Sequence, residues 1–138
     1  MAIRILVVDD NPQTRKTTNQ SLSFRGYAVT AVSGAHAMAA FRADQPQIVL
    51  TEVVMSDKCG IELIRDIRRE NKSTGIIATS AGGALSRSYL LEVARKLGAD
   101  LVLPKPFEID QLLVGIEQVL SRPTDDDRCL LIDPDPHG

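Results

Sequence analysis

The chain is predicted to fold as a doubly wound α/β domain, in which a largely parallel, five-stranded sheet carries helices on both faces. Short apolar runs recur along it without the alternation of a half-exposed strand, notably Ile5–Val8, Ile48–Leu50 and Ile76–Ala78. Segments with helical features separate these runs. Because parallel neighbours need crossover connections, which are right-handed, this alternation indicates a three-layer domain.

The composition is that of one globular domain. The chain has 138 residues, of which 43% are hydrophobic and 25% charged, and its net charge of -2 gives no electrostatic reason to expect nucleic acid as a partner. No apolar run approaches the roughly 20 residues that span a bilayer, and no signal-peptide pattern is present, so a cytoplasmic location without membrane contact is expected. Cys59 and Cys129 lack histidines at ligand spacing, which argues against a zinc site or a disulfide framework.

The first predicted unit is a strand followed by a helix. The strand Ile5–Val8 ends at two aspartates. Asn11 suits the N-cap and Pro12 the first position of a helix that Gly26 ends. A second strand is then predicted at Tyr27–Val32.

The second unit leads to the central strand. Ser33 is the expected cap of a helix from about Ala35 to Arg42. The consecutive apolar residues Ile48–Leu50 indicate a strand covered on both faces, and Glu52 lies at its carboxyl end. In open parallel α/β sheets, that edge is where ligands bind.

Three helices and two strands are expected in the second half of the chain. They are a helix from Gly60 to about Asn71, a strand at Ile76–Thr79 that ends in Ser80, a helix at Ser86–Leu97 closed by Gly98, a strand at Leu101–Leu103, and a helix from Ile109 to about Leu120. Residues 81–83 lack the spacing of a phosphate-binding loop and are interpreted as a mobile loop.

The domain is predicted to occupy residues 1–121, with an acidic linker and tail at 122–138. The segment from Arg128 to Pro136 resembles the segment from Arg4 to Pro12, as though the first strand began again. It is interpreted as an extra edge strand or a chance similarity, and alternatively as the remnant of a second domain.

Polar side chains follow four of the predicted strands. Asp9, Asp10, Glu52, Ser80 and Lys105 all come at carboxyl ends and can face one shallow pocket. Carboxylates from two strands suit Mg²⁺, which is held by one or two carboxylates, a phosphate oxygen and waters. A hydroxyl and a lysine complete a set able to bind a phosphoryl group, because transfer of that group depends on positioning and charge neutralisation.

Over residues 3–121 the chain resembles the receiver domains of two-component response regulators. Four motifs carry the resemblance, namely Ile5–Pro12, Gly60–Ile64, Gly98–Asp100 and Leu103–Phe107. The resemblance implies a flavodoxin-like fold with strand order 2-1-3-4-5 and a cis peptide bond before Pro106. It also implies an aspartate that a histidine kinase phosphorylates.

The resemblance assigns roles to several residues. It implies a Mg²⁺ site built on Asp9, Asp10, the acceptor position Glu52 and the backbone carbonyl of Val54. It implies that Ser80 and Lys105 hold the phosphoryl group, and that position 102 carries a switching aromatic ring.

The chain departs from the family pattern around this site. Glu52 stands at the position of the acceptor aspartate and Val102 at that of the switching ring, while Val54, Ser56 and Cys59 also replace residues usual in the family. A misplacement near 1 Å can cost about a hundredfold in a positioned reaction, so normal phosphorylation of Glu52 is not expected. Several departures around one site look more like natural divergence than like one engineered substitution. An engineered change of aspartate to glutamate stays an alternative.

The leading hypothesis is an atypical receiver that acts by binding other proteins, with Glu52 imitating the phosphorylated state or making the domain independent of phosphate. One alternative is a receiver that a histidine kinase or phosphodonor still phosphorylates. A small Mg²⁺-dependent phosphohydrolase is disfavoured, because its paired aspartates would need a second aspartate where Asn11 or Pro12 stands. The domain is therefore expected not to be an enzyme.

The expected partners are a histidine kinase, a phosphotransfer protein or a downstream signalling protein. A homodimer through the fourth helix, fifth strand and fifth helix is a further possibility that the resemblance suggests.

Overall fold

The computed structural model describes residues 2–53, 55, 60–80 and 87–122. Five strands and five α-helices alternate along them. They are β1 (Arg4–Val8), α1 (Pro12–Phe24), β2 (Ala28–Val32), α2 (Ala37–Asp44), β3 (Ile48–Glu52), α3 (Gly60–Glu70), β4 (Gly75–Ser80), α4 (Arg87–Leu97), β5 (Leu101–Pro104) and α5 (Ile109–Ser121). Several sequence predictions concern residues outside the described ranges. They are those for Val54, Ser56, Cys59, the 81–83 loop, Ser86, and the tail from residue 123 onward with Cys129.

The strands form one parallel sheet in the order β2-β1-β3-β4-β5, which confirms the prediction. β3 is central, and all five of its residues are buried, as its unbroken apolar run indicated. Since all strands are parallel, their carboxyl ends meet at one edge of the sheet. Within the described ranges, no helix has the length and apolar character needed to cross a membrane.

The core has two layers, one on each face of the sheet. Side chains of α2, α3 and α4 pack on one face, with Phe41, Leu63 and Ala94 among them. Side chains of α1 and α5 pack on the other face, including Leu22 and Leu112. The doubly wound arrangement follows because the chain reverses its direction across the sheet after β2, so that right-handed crossovers before and after the reversal place their helices on opposite faces.

Most of the predicted helix ends are confirmed. The Asn11 side chain accepts hydrogen bonds from the backbone N–H groups of Gln13 and Thr14, as an N-cap residue does. Gly26 and Gly98 have φ angles of 96° and 115°, in the region that glycine adopts without steric cost.

Three local features were not anticipated from the sequence. Ser33 makes no capping hydrogen bond through its side chain, and a short 3-10 helix at Gly34–His36 precedes α2, which therefore begins two residues later than predicted. The left-handed residue after α2 is Gln45, with φ 47°, where a glycine or asparagine would have been the usual signal. The side chain of Phe24, the last residue of α1, is 87% exposed and takes no part in the core.

Candidate functional site

The carboxyl edge of the sheet brings the predicted site residues together. Asp9 follows β1, Glu52 ends β3, Ser80 ends β4 and Lys105 follows β5. The strand register pairs Glu52 with Thr79 and places Ser80 opposite Pro104. Asp9, Glu52 and Ser80 are all buried, and burial of the two carboxylates is unusual unless they are paired.

Lys105 is paired with two carboxylates. Its Nζ donates to Oε1 of Glu52 and lies 3.4 Å from Oδ2 of Asp9. The side chains of Glu52 and Asp9 are 8% and 9% exposed, and that of Lys105 is 24% exposed. The site is therefore a partly desolvated cluster in which one ammonium group bridges carboxylates from two strands.

Asp9 accepts two hydrogen bonds, one through its side chain and one through its backbone carbonyl. Its Oδ1 accepts a hydrogen bond of 2.9 Å from the backbone N–H of Asn11. Its backbone carbonyl accepts one of 2.8 Å from Nη1 of Arg15. Sequence reasoning missed Arg15, although its place one turn after the Asn11 cap puts it near the end of β1 and could have indicated it.

Glu52 is fixed mainly through its backbone. Its carbonyl accepts a hydrogen bond of 2.9 Å from Oγ1 of Thr51. Gly60, at the start of α3, packs so closely that a Cβ atom there would overlap the Glu52 carbonyl. The N–H of Gly60 also donates to the carbonyl of Val53 at 2.9 Å. Gly60 is therefore needed for close backbone approach rather than for an unusual φ angle.

Lys105 is placed by the turn after β5. Its backbone N–H donates to the carbonyl of Ser80 at 2.9 Å, which ties this turn to the end of β4. The Lys105–Pro106 peptide bond is cis, as the resemblance implied. The hydrogen bond to Ser80 brings Lys105 to the edge of the sheet where its side chain meets the carboxylates.

Burial raises the pKa of the Glu52 carboxyl above its ordinary value of 4.5. Lys105 acts in the opposite direction, because its positive charge favours the ionised carboxylate. The nearby charges of Asp9 and Asp10 raise the pKa further, and desolvation is the largest effect.

Asp9 and Asp10 form an acidic pair that suits a hard cation, but the geometry limits the number of protein ligands. In the part of the chain that the structure describes, no three acidic, histidine or cysteine side chains are grouped closely enough to hold one ion together. Mg²⁺ needs only one or two carboxylates when waters fill its other positions. Asp9 and Asp10 fit that requirement, whereas Oε1 of Glu52 is turned to Lys105.

Val102 lies inside the sheet, 7% exposed, and packs in the same core layer as Ala94 of α4. A valine at this position has no ring that could turn between the interior and the surface.

The response regulator receiver domain family matches residues 5–117, and the chain belongs to this family. Its sequence is 36% identical to the response regulator MprA of Mycolicibacterium vanbaalenii over 128 residues, or 92% of this chain and 54% of that protein. The chain thus spans about half the length of the curated relatives it matches. Members of the family interact with histidine kinases and phosphodonors.

Solved structures agree with the fold. A LuxR-family two-component response regulator from Aurantimonas is 28% identical, with a TM-score of 0.77, over 87% of this chain and 86% of that one. A putative response regulator from Chloroflexus aurantiacus is 25% identical, with a TM-score of 0.78, over 88% of this chain and all of that one.

Proposed function

We propose that this receiver domain signals through protein binding without being phosphorylated, and that the Glu52 carboxylate occupies the place of a phosphoryl group. The ion pair between Glu52 and Lys105 carries the proposal. The lysine that would hold a phosphoryl group in a family member already has a buried anionic partner here.

The charge that Glu52 supplies is smaller than that of a phosphoryl group. A carboxylate offers one negative charge and two oxygens, against about -1.5 to -2 and three oxygens for a phosphorylated side chain. The imitation is therefore partial. The conformation of the domain would therefore lie between those of an unphosphorylated and a phosphorylated ordinary receiver.

Mg²⁺ would be held by Asp9 and Asp10 with water molecules, and Glu52 and the backbone carbonyl of Val54 remain candidate ligands from the sequence. When bound, the ion would supply positive charge to the acidic pocket. Lys105 already neutralises part of the negative charge of Asp9, so we expect weak binding.

A groove beside β5 is the surface we favour for partners. It encloses about 300 Å³ between Leu101–Leu103 and the α5 residues Asp110, Gln111, Val114, Gly115 and Gln118. Val114 is 55% exposed. The candidate occupants are a histidine kinase, a phosphotransfer protein, a downstream signalling protein or a second copy of the domain. We propose that this binding takes place in the cytoplasm.

The alternative is a receiver that still accepts phosphate on Glu52. It would require the Glu52 carboxylate to leave Lys105 and attack a phosphodonor from a position displaced by one methylene group. We infer no enzymatic role, because the phosphohydrolase pattern lacks its second aspartate.

A spectroscopic comparison tests the imitation. The backbone amide signals of Leu101–Gln118 are compared in the wild type, in Glu52→Gln, and in Glu52→Asp with and without a phosphoryl analogue. Wild-type signals that lie between those of free and analogue-bound Glu52→Asp are expected. Wild-type signals that coincide with those of Glu52→Gln would contradict the proposal, because the charge would then have no effect on this surface.

A further inference from the structure

A second charged cluster lies at the amino-terminal edge of the sheet, opposite the Glu52 pocket. Its centre is Asp100, which immediately precedes β5 and is fully buried. Oδ2 of Asp100 accepts hydrogen bonds of 2.8 Å from the backbone N–H of Ile76 and from Nη2 of Arg68. Oδ1 accepts one of 3.0 Å from Nε of Arg122. The buried carboxylate is thus satisfied on both oxygens.

Arg122 has a further role at the end of α5. Its Nη1 donates to the carbonyl of Val119 at 2.7 Å, one of the carbonyls that a helix end leaves without an intrahelical partner. Its Nη2 donates to the carbonyl of Ser73 at 3.1 Å, in the loop before β4. The guanidinium group of Arg122 therefore caps the carboxyl end of α5 and connects it to the residues that precede β4 and β5.

The burial of the two arginines shows how closely the cluster is packed. The Arg122 side chain is 5% exposed and that of Arg68 is 11% exposed. Arg68 also donates to the carbonyl of Gly98 at 2.9 Å and to that of Thr74 at 2.6 Å. Breaking one partner of a buried charge pair is costly, because it leaves the other partner uncompensated.

We propose that the ion pair between Arg122 and Asp100 is an anchor that holds the carboxyl end of α5 against the amino-terminal edge of the sheet. This goes beyond the proposed function, since the anchor involves no residue of the Glu52 pocket. Arg122 lies at the edge of the sheet opposite the pocket. β5 joins the two ends, with Asp100 before it and Lys105 after it.

Native-state hydrogen exchange tests the anchor. In Arg122→Gln, the amides of Leu120–Arg122 should lose about tenfold or more of their protection, because a charge-assisted hydrogen bond to a buried carboxylate is lost. Arg122→Lys should also lose protection, since a lysine cannot bridge Asp100 and the Ser73 carbonyl with a planar fork.

Arg25 provides a matched control. It is the C-cap residue of α1, which has 13 residues like α5, and its side chain is exposed. Arg25→Gln should leave protection at the end of α1 unchanged. Unchanged protection at Leu120–Arg122 in both Arg122 variants would overturn the proposal, as would an equal loss at the end of α1 in Arg25→Gln.

A separate Asp100→Asn variant should lower the exchange protection of the Leu120–Arg122 amides, and unchanged protection in this variant would also count against the anchor.

Discussion

Glu52 carries its carboxylate one methylene group further from the backbone than an aspartate would, and this places the charge beside Lys105. The sequence indicated that Asp9, Glu52, Ser80 and Lys105 would converge, because each ends or follows a strand of one parallel sheet. It did not indicate that Lys105 would also lie 3.4 Å from Asp9, since that depends on side-chain reach. The roles of these residues in binding metal or phosphate remain predictions.

The pH dependence of stability should report the burial of Glu52. The pKa of Glu52 is raised in the folded protein, so between about 4.5 and that higher value the folded state binds more protons than the unfolded state. The free energy of unfolding should therefore fall as pH rises through this window. Glu52→Gln lacks the titrating group, so its own curve should fall less. Urea unfolding of both proteins from pH 4 to 8 measures the difference, and a flat difference would contradict the account.

Gly60 should tolerate alanine poorly. Alanine is better than glycine in a helix by about 1 kcal/mol, but a Cβ at position 60 would overlap the Glu52 carbonyl, and overpacking typically costs about 1–3 kcal/mol. Gly60→Ala should thus destabilise the domain in urea unfolding. Gly115→Ala in α5 is the control, because the Leu101 side-chain end that it would meet can shift. Equal stability of the two variants would show that the Gly60 contact is not tight.

Asp10 should be needed for the weak response to divalent cations. Titration with Mn²⁺ should broaden signals near Asp9 in the wild type, and Asp10→Ala should lose this effect because one of the two carboxylates is gone. Asp110→Ala, on α5, is a control for general loss of negative charge. An equal response in the wild type and in Asp10→Ala would remove the acidic pair from the proposed site.

At the scale of elements, the order and type of every predicted strand and helix in the described ranges are confirmed. Their signals are local, as with Asn11 before α1 and Gly98 after α4. The sequence failed where tertiary structure decided the outcome. Ser33 has the right chemistry for a cap, yet the backbone continues into a 3-10 turn, and Gln45 adopts a left-handed conformation without being a glycine.

The two candidate caps make a matched test. Asn11→Ala should lower the free energy of unfolding by about 1 kcal/mol, because the N–H groups of Gln13 and Thr14 lose their acceptor. Ser33→Ala should have little effect, since its side chain makes no capping bond. Urea unfolding of both variants checks this, and the reverse ranking would show that the caps have been misassigned.

At the scale of the molecule, the fold places two charged clusters at opposite edges of one sheet. The Glu52 pocket could be anticipated, because sequence motifs ended the strands there. The cluster around Asp100 could not, because Arg68, Asp100 and Arg122 are far apart in sequence and come from separate elements. Membership of the receiver family followed from the sequence, whereas independence from phosphate rests on one residue and its partner.

The most direct test of that independence is intact-mass measurement after incubation with a small-molecule phosphodonor and Mg²⁺. The wild-type protein should gain no stable phosphate, because Glu52 is displaced and paired with Lys105. Glu52→Asp restores the acceptor length and should gain an adduct that is stable in acid and labile in base. A phosphate adduct located on Glu52 of the wild-type protein would contradict the account.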